Sequence, residues 1–255
     1  MIDEGALTLF LLITARMSGF VVFNPLLSRQ NFPGTFRAGF VLVLSAFTYS
    51  VTGGRLEPPA GILALAGALL LELAVGTVLG MVVHFFFYIP QMAGLAIDTQ
   101  MGMTMNQIYD SGSQSNMSVT GTLINTLMIL LFFAGGGHHT LMRIMITSGQ
   151  VVGYGGVSIG NDVTNLALEL FVECTVLAVK LSMPILAAEL IGQLGMGVLM
   201  KVIPQINVFS INIELKVIIG LGLLLMLMLP ISEFLLEAEQ TMLGSLHDML
   251  RLMAS

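Results

Sequence analysis

Apolar residues fill this chain in long blocks, and polar residues gather in a few short stretches between them. Six hydrophobic segments are predicted, at about 5–28, 36–54, 60–89, 118–142, 163–200 and 211–232. Glycine and proline clusters mark the breaks. These fall at Asn31-Phe32-Pro33-Gly34, at Gly53-Gly54 with Pro58-Pro59, at a polar loop near the middle, at Gly153-Tyr154-Gly155-Gly156 and at Pro204. Residues 90–105 are predicted to add a short helix leading into the polar loop. No Asp, Glu, Lys or Arg occurs between Glu72 and Asp98, or between Asp110 and Arg143. A membrane-spanning helix needs about 20 apolar residues, and both runs are longer. The expected fold is therefore an all-α integral membrane protein, with about six long hydrophobic helices plus shorter ones.

Composition supports this and narrows the function. Of 255 residues, 56% are hydrophobic and only 9% are charged. Soluble domains carry about 25% charged residues, so this chain has too few to cover a soluble surface. A net charge of −6 argues against nucleic-acid binding, which needs a basic face. The single cysteine, Cys174, excludes an internal disulfide and a cysteine metal cluster. The start, Met-Ile-Asp-Glu, lacks the basic residues of a secretory signal, so the first hydrophobic segment is expected to be retained.

The fifth segment is too long for a plain span, and it carries Glu169, Glu173, Lys180 and Glu189. Glu169, Glu173 and Lys180 fall on one helical face. Charges at membrane depth are costly and should face protein or water, so these four are candidates for a polar seam against another subunit. Gly76 and Gly80 form a GxxxG motif. Small residues at that spacing let helix backbones approach closely, for packing inside the chain or against a neighbouring subunit. Basic residues in the loops divide evenly, with Arg55, Arg143 and Arg251 on one side and Arg29, Arg37 and Lys201 on the other, which leaves orientation open.

Catalytic and metal chemistry find no foothold in the pattern. His138 and His139 follow Gly135-Gly136-Gly137, but adjacent histidines diverge on a helix, and a zinc site needs three or four convergent ligands. A glycine-rich helix end is the expected reading. The chain has no nucleophile elbow, zinc-binding His-Glu-x-x-His or phosphate-binding loop. Asp98 and Asp110 qualify as acids by residue type only. Neither an enzyme nor a cofactor is expected. Pro-Gln occurs twice, at Pro90-Gln91 and Pro204-Gln205, which admits a second class of function, a small-solute carrier of the PQ-loop type.

The polar loop stands apart. Asn106, Gln107, Ile108, Tyr109, Asp110, Ser111, Gly112, Ser113, Gln114, Ser115, Asn116, Met117 and Ser118 form a flexible, serine- and glycine-bearing stretch. Methionine is frequent throughout, with 19 residues, and most are apolar filler. Met101, Met103, Met105 and Met117 bracket the loop, where their flexible thioethers suit a compliant seal.

Along nearly its whole length the chain resembles the FliR-type flagellar biosynthesis proteins, whose injectisome relatives are the SctT-type subunits. The resemblance rests on Arg16-Met17-Ser18-Gly19 with Pro25 and Pro33, and on Glu72 with Gly76 and Gly80. It continues through Ala93-Gly94, Asp98, Met101-Gly102, Asn106-Gln107-Ile108-Tyr109-Asp110 and Gly137-His138-His139, and ends on Pro204-Gln205-Ile206-Asn207-Val208-Phe209. Ser111 departs from the proline often found after the aspartate, and Glu214 is more polar than expected. The resemblance implies a FliP-like part, residues 1–161, fused to a FliQ-like two-helix hairpin, residues 162–255, turning at Pro204, Gln205, Asn207 and Phe209. It implies a core subunit of the flagellar type III protein-export gate in the bacterial inner membrane, at the flagellar basal body, or of the injectisome gate as a close variant. Its partners would be FliP, FliQ, FlhB and FlhA, with unfolded flagellar proteins as cargo. Residues 106–118 would be the plug in the gate lumen.

Overall fold

In the computed structural model, residues 4–27, 33–54, 56, 59, 61–103, 118–157, 160–202 and 208–254 are described. Eight helices follow one another among them: α1 (Glu4–Phe23), α2 (Gly34–Thr52), α3 (Ile62–Met101), α4 (Val119–Ala134), α5 (Gly137–Val151), α6 (Asn161–Val202), α7 (Val208–Met226) and α8 (Met228–Ala254). No strand occurs among the described residues. Four helices are long and apolar enough to cross a membrane, or six spans result if two bent helix pairs each count as one. The all-α membrane architecture expected from the pattern is the one observed.

Three boundaries differ from expectation. Residues 90–101 do not form a helix of their own, because α3 runs unbroken from Ile62 to Met101 with Pro90 inside it; residues 104 and 105 lie outside the described residues. Proline removes one backbone donor, and the rest of the ladder survives where neighbouring groups fill in. The segment 118–142 is two helices, α4 and α5, with a break at Gly135–Gly136. Gly136 starts α5 in the left-handed region, at φ 75°, so the glycine-rich stretch before the histidines is a helix end as read. The tail holds three helices where two were expected, because α7 and α8 meet at a 61° bend around Leu227. Pro230 sits in the first turn of α8, where a missing donor is tolerated and a new helix can begin.

The chain divides into two compact units. One comprises residues 1–86, 135–172 and 239–255. In it α2 lies against both α1 and α5, and Phe10 meets Tyr49 edge-on at 6.1 Å. Leu12, Ile13, Met17, Phe20 and Leu79 are fully buried there. The other comprises residues 87–134 and 173–238. There α3 and α4 meet through an edge-to-face pair, Phe87 and Phe132, at 5.5 Å.

Within the first unit α1 and α3 touch backbone to backbone. A Cβ on Gly76 would overlap the carbonyl oxygen of Arg16, and one on Gly19 would overlap the carbonyl oxygen of Leu73. Gly80 faces Phe20 and Phe23 in the same way. Any larger residue must push the two helices apart. Gly76→Leu should therefore lower thermal stability in detergent by about 1–3 kcal/mol or more, the usual range for overpacking. Gly222, with open space around it in α7, serves as the control. Gly222→Ala should be neutral or slightly stabilising, because alanine is the better helix former. Equal melting temperatures for the two variants would contradict the close approach.

Candidate functional site

Two polar centres lie inside this apolar framework. The first is built on Arg16 of α1 and Glu72 of α3, both 0% exposed. Arg16 Nε donates to Glu72 Oε2 at 2.6 Å. Arg16 Nη1 donates to Ser148 Oγ at 3.2 Å and to the Val152 carbonyl at 3.2 Å, and Nη2 donates to the same carbonyl at 3.1 Å. Glu72 Oε1 accepts the backbone N–H of Gly155 at 2.9 Å. Gly155 adopts φ 82°, a conformation that favours glycine, and this turns its N–H toward the carboxylate. The Tyr154 ring lies over the guanidinium, 4.3 Å from the ring centroid. Burial lifts the Tyr154 phenol above its ordinary value, with the Arg16 charge opposing, so the ring stays neutral.

The network links α1, α3, the end of α5 and the turn that follows it. Val152 closes α5, its N–H bonded to the Ser148 carbonyl at 2.8 Å. Arg16 thus places a positive charge on the C-terminal end of that helix, where the backbone dipole is negative. Each partner in the ion pair has further hydrogen bonds, the condition under which a buried pair is tolerated.

The second centre is Asp98, fully buried near the end of α3. Its Oδ2 accepts Ser118 Oγ–H at 2.7 Å. The backbone N–H of Thr120 points at both carboxylate oxygens, at 3.4 and 3.3 Å. Ser118 Oγ accepts the N–H of Gly121 at 2.8 Å, the bond of a helix N-cap at the start of α4. Gly94 and Gly121 lie so close that a Cβ on Gly94 would overlap the Gly121 backbone. Met101 is buried against Gly220 of α7, and Lys216 Nζ donates to the Gln100 carbonyl at 3.5 Å.

The sequence-derived candidates are placed as follows. Asn106 through Met117 lie outside the described residues, as does Met105, while Ser118 is the cap just described. Met103 is half-buried. Glu169, Glu173 and Lys180 are exposed, whereas Glu189 is buried, with the Lys216 charge acting on it. Gly76 and Gly80 are occupied by α1 of the same chain. Pro204, Gln205 and Asn207 lie outside the described residues, and Phe209 falls in the first turn of α7. His138 and His139 have ring centroids 4.0 Å apart, with the rings tilted by 37°. Among the described residues no group of three or more metal-ligating side chains converges.

Sequence reasoning did not pair Arg16 with Glu72, or Asp98 with Ser118. A signal was present. Glu72 and Asp98 bound one of the two charge-free runs, and Arg16 is the only charge within the first apolar segment. Isolated charges inside spanning segments require partners, and the partners here lie 56 and 20 residues away along the chain.

Comparison with known proteins covers both centres. A family model described as bacterial export proteins, family 1, matches residues 7–242. The flagellar biosynthetic protein FliR of Bacillus subtilis (strain 168) is 27% identical over 221 residues, which span 83% of this chain and 82% of that protein. FliR of Caulobacter vibrioides is 24% identical over 211 residues, covering 82% of this chain and 84% of its own length. The Yop proteins translocation protein T of Yersinia pestis is 27% identical over 221 residues, 85% of this chain and 84% of that protein.

The ion pair makes a sharp energetic prediction. Arg16→Met leaves Glu72 buried without its cation and should destabilise the chain by about 3–5 kcal/mol. Glu72→Met should do the same from the other side. The double variant removes both charges, so its loss should be clearly smaller than the sum of the two. Unfolding in detergent, run as a double-mutant cycle, measures the coupling. Simple additivity would show that the two side chains act independently.

Proposed function

The chain belongs to the bacterial export proteins, family 1, and we propose that it is a core, non-enzymatic subunit of a type III protein-export gate in the bacterial inner membrane. The observation that carries this reading is the family match from residue 7 to residue 242, which leaves little of the chain for a different activity. Relatives named for flagellar biosynthesis and for Yop translocation each align over more than four-fifths of their own length. We favour the flagellar gate, with the injectisome gate as its close variant. In this assignment residues 1–161 form a FliP-like part and residues 162–255 a FliQ-like part. The subunit assembles with FliP and FliQ, contacts FlhB and FlhA, and helps line a channel for unfolded flagellar proteins.

Two structural features support a multi-subunit setting. The helices α3 and α6 have 40 and 42 residues, and at 1.5 Å per residue each is about 60 Å long. A hydrocarbon core is only about 30 Å thick, so a large part of each helix projects beyond it or tilts steeply. Exposed Glu173 and Lys180 sit among exposed Phe171, Val172, Val176 and Val179 on α6. Lipid does not solvate such charges, whereas an adjoining subunit can. Glu169, Glu173 and Lys180 are therefore proposed to face a neighbour.

Residues 106–118 are proposed as the lumenal plug. A polar loop rich in serine and glycine gains little by staying in place, so it can yield to an arriving polypeptide. Met101, Met103, Met105 and Met117 are proposed as sealing contacts beside it, and Met101 packs against Gly220.

Co-expression with the FliP and FliQ homologues of the same source tests the assignment. A stable hetero-complex is expected, and loss of the gene should abolish flagellar assembly. A folded monomer that binds neither partner would overturn the assignment. Deleting residues 107–117 tests the plug separately. The assembled complex should then leak ions across the membrane, and a tight membrane with normal export would remove the plug from the scheme.

A further inference from the structure

In the unit of residues 87–134 and 173–238, a small cavity opens where α6 passes the junction of α7 and α8. Its volume is about 140 Å³. Its walls include Lys180 and Pro184 from α6, and Leu227, Pro230, Ile231 and Phe234 from the junction. Proline shapes both sides. Pro184 lies inside α6, where it has no N–H for the Lys180 carbonyl and its ring crowds that turn. Pro230 stands in the first turn of α8, just past the break at Leu227. Two interrupted backbones thus border the cavity, and regular ridge-into-groove packing does not fill it. An apolar cavity of about 150 Å³ stays dry and holds a benzene-sized group, so this one has room for a single phenyl or leucyl side chain.

The surface around the cavity is apolar but carries charge. Lys180 is exposed at its edge. Glu173 is exposed two turns earlier on the same face of α6. Val176, Val179 and Met183 are exposed around them. Two occupants suit an apolar cavity beside a cation: a phospholipid, through its phosphate, or a protein helix that carries an acid. The charges decide between them. A phosphate drawn to Lys180 meets the like charge of Glu173 about 10 Å along the helix. A helix can instead set a carboxylate against Lys180 and a cation against Glu173 at that same spacing. The volume agrees, because it holds one side chain, whereas an acyl chain needs a longer groove.

We propose that this cavity is the socket for one large apolar side chain, leucine or phenylalanine, on a helix of an adjoining subunit, and that an acid on that helix pairs with Lys180; this rests on the export-subunit reading above. The arrangement has the form of a binding hot spot, an anchor in a desolvated pocket with a charge pair at its edge. It narrows the seam proposed for Glu173 and Lys180 to one point of contact and one kind of partner. Lys180 sets the partner's register along α6, and the cavity sets its depth.

The test uses the full chain co-expressed in membranes with its FliP and FliQ homologues. The photocrosslinking residue p-benzoylphenylalanine, placed at Phe234, should crosslink to one of those subunits. Mapping the crosslinked segment should find an acid within a helical turn or two of a leucine or phenylalanine. Lys180→Glu changes only an exposed side chain, so the chain should still fold, and it should lower the recovery of assembled complex several-fold. Lys180→Arg keeps the charge and should assemble like the unaltered protein. Reversing the mapped acid to lysine should restore the Lys180→Glu complex, which a merely structural role for Lys180 would not allow. Crosslinks to lipid alone, a crosslinked segment without an acid, or undiminished recovery of the Lys180→Glu complex would overturn the inference and leave the export assignment standing. An unaltered chain that joins neither partner would overturn the assignment, and this inference with it.

Discussion

The contact between Arg16 and Glu72 sets the terms for half of this molecule. Two opposite charges with 0% exposure would be a liability in an apolar helix bundle if either stood alone. They are tolerable because the guanidinium also serves Ser148 and Val152, and the carboxylate also serves Gly155. That arrangement requires three helix segments and one turn to be in place together. It also requires α1 and α3 to come closer than side chains normally allow. Gly76 faces the Arg16 backbone directly, one turn along α3 from Glu72. The GxxxG pair and the ion pair are therefore one device. The glycine removes the obstacle, and the charges use the proximity.

The same logic orders the chemistry of the long helices. Charges that pair inside the chain are buried on α1 and α3, whereas Glu169, Glu173 and Lys180 on α6 are left outward among apolar side chains. A lipid-facing charge near the middle of a helix costs about 2.5–3.5 kcal/mol on insertion scales. The contrast between satisfied inner charges and unsatisfied outer ones separates what the chain does for its own fold from what it offers to neighbours. An export subunit built to join others has reason to leave such residues outward.

How much of this could be read from sequence depends on the range of the interaction. The apolar blocks and the helix end at Gly135–Gly136 are local signals, and they appear where the pattern puts them. The run through Pro90 and the bend at Leu227 were missed for a common reason. Proline deletes one donor, and whether a helix continues or bends there is decided by packing against neighbours, which a window of sequence does not contain. The polar centres were half legible. Arg16, Glu72 and Asp98 stand out as lone charges in apolar surroundings, yet nothing local names Ser148, Val152 or Ser118 as their partners. The turn at Gly155 could be read as a break, but its service to Glu72 depends on a positive φ that composition alone does not reveal.

The sequence between α3 and α4 is rich in serine, glycine and asparagine and offers few side chains that can hold a buried contact. Position must then come from the ends. In this chain they are specified by groups of a different kind, a buried carboxylate on a local cap, a glycine-to-glycine backbone contact and a methionine beneath α7. Asp98 and Ser118, 20 residues apart, are joined by a 2.7 Å hydrogen bond to a charged acceptor, with the Thr120 N–H directed at the same carboxylate, and such bonds are among the stronger neutral-to-ionic contacts available to a protein interior.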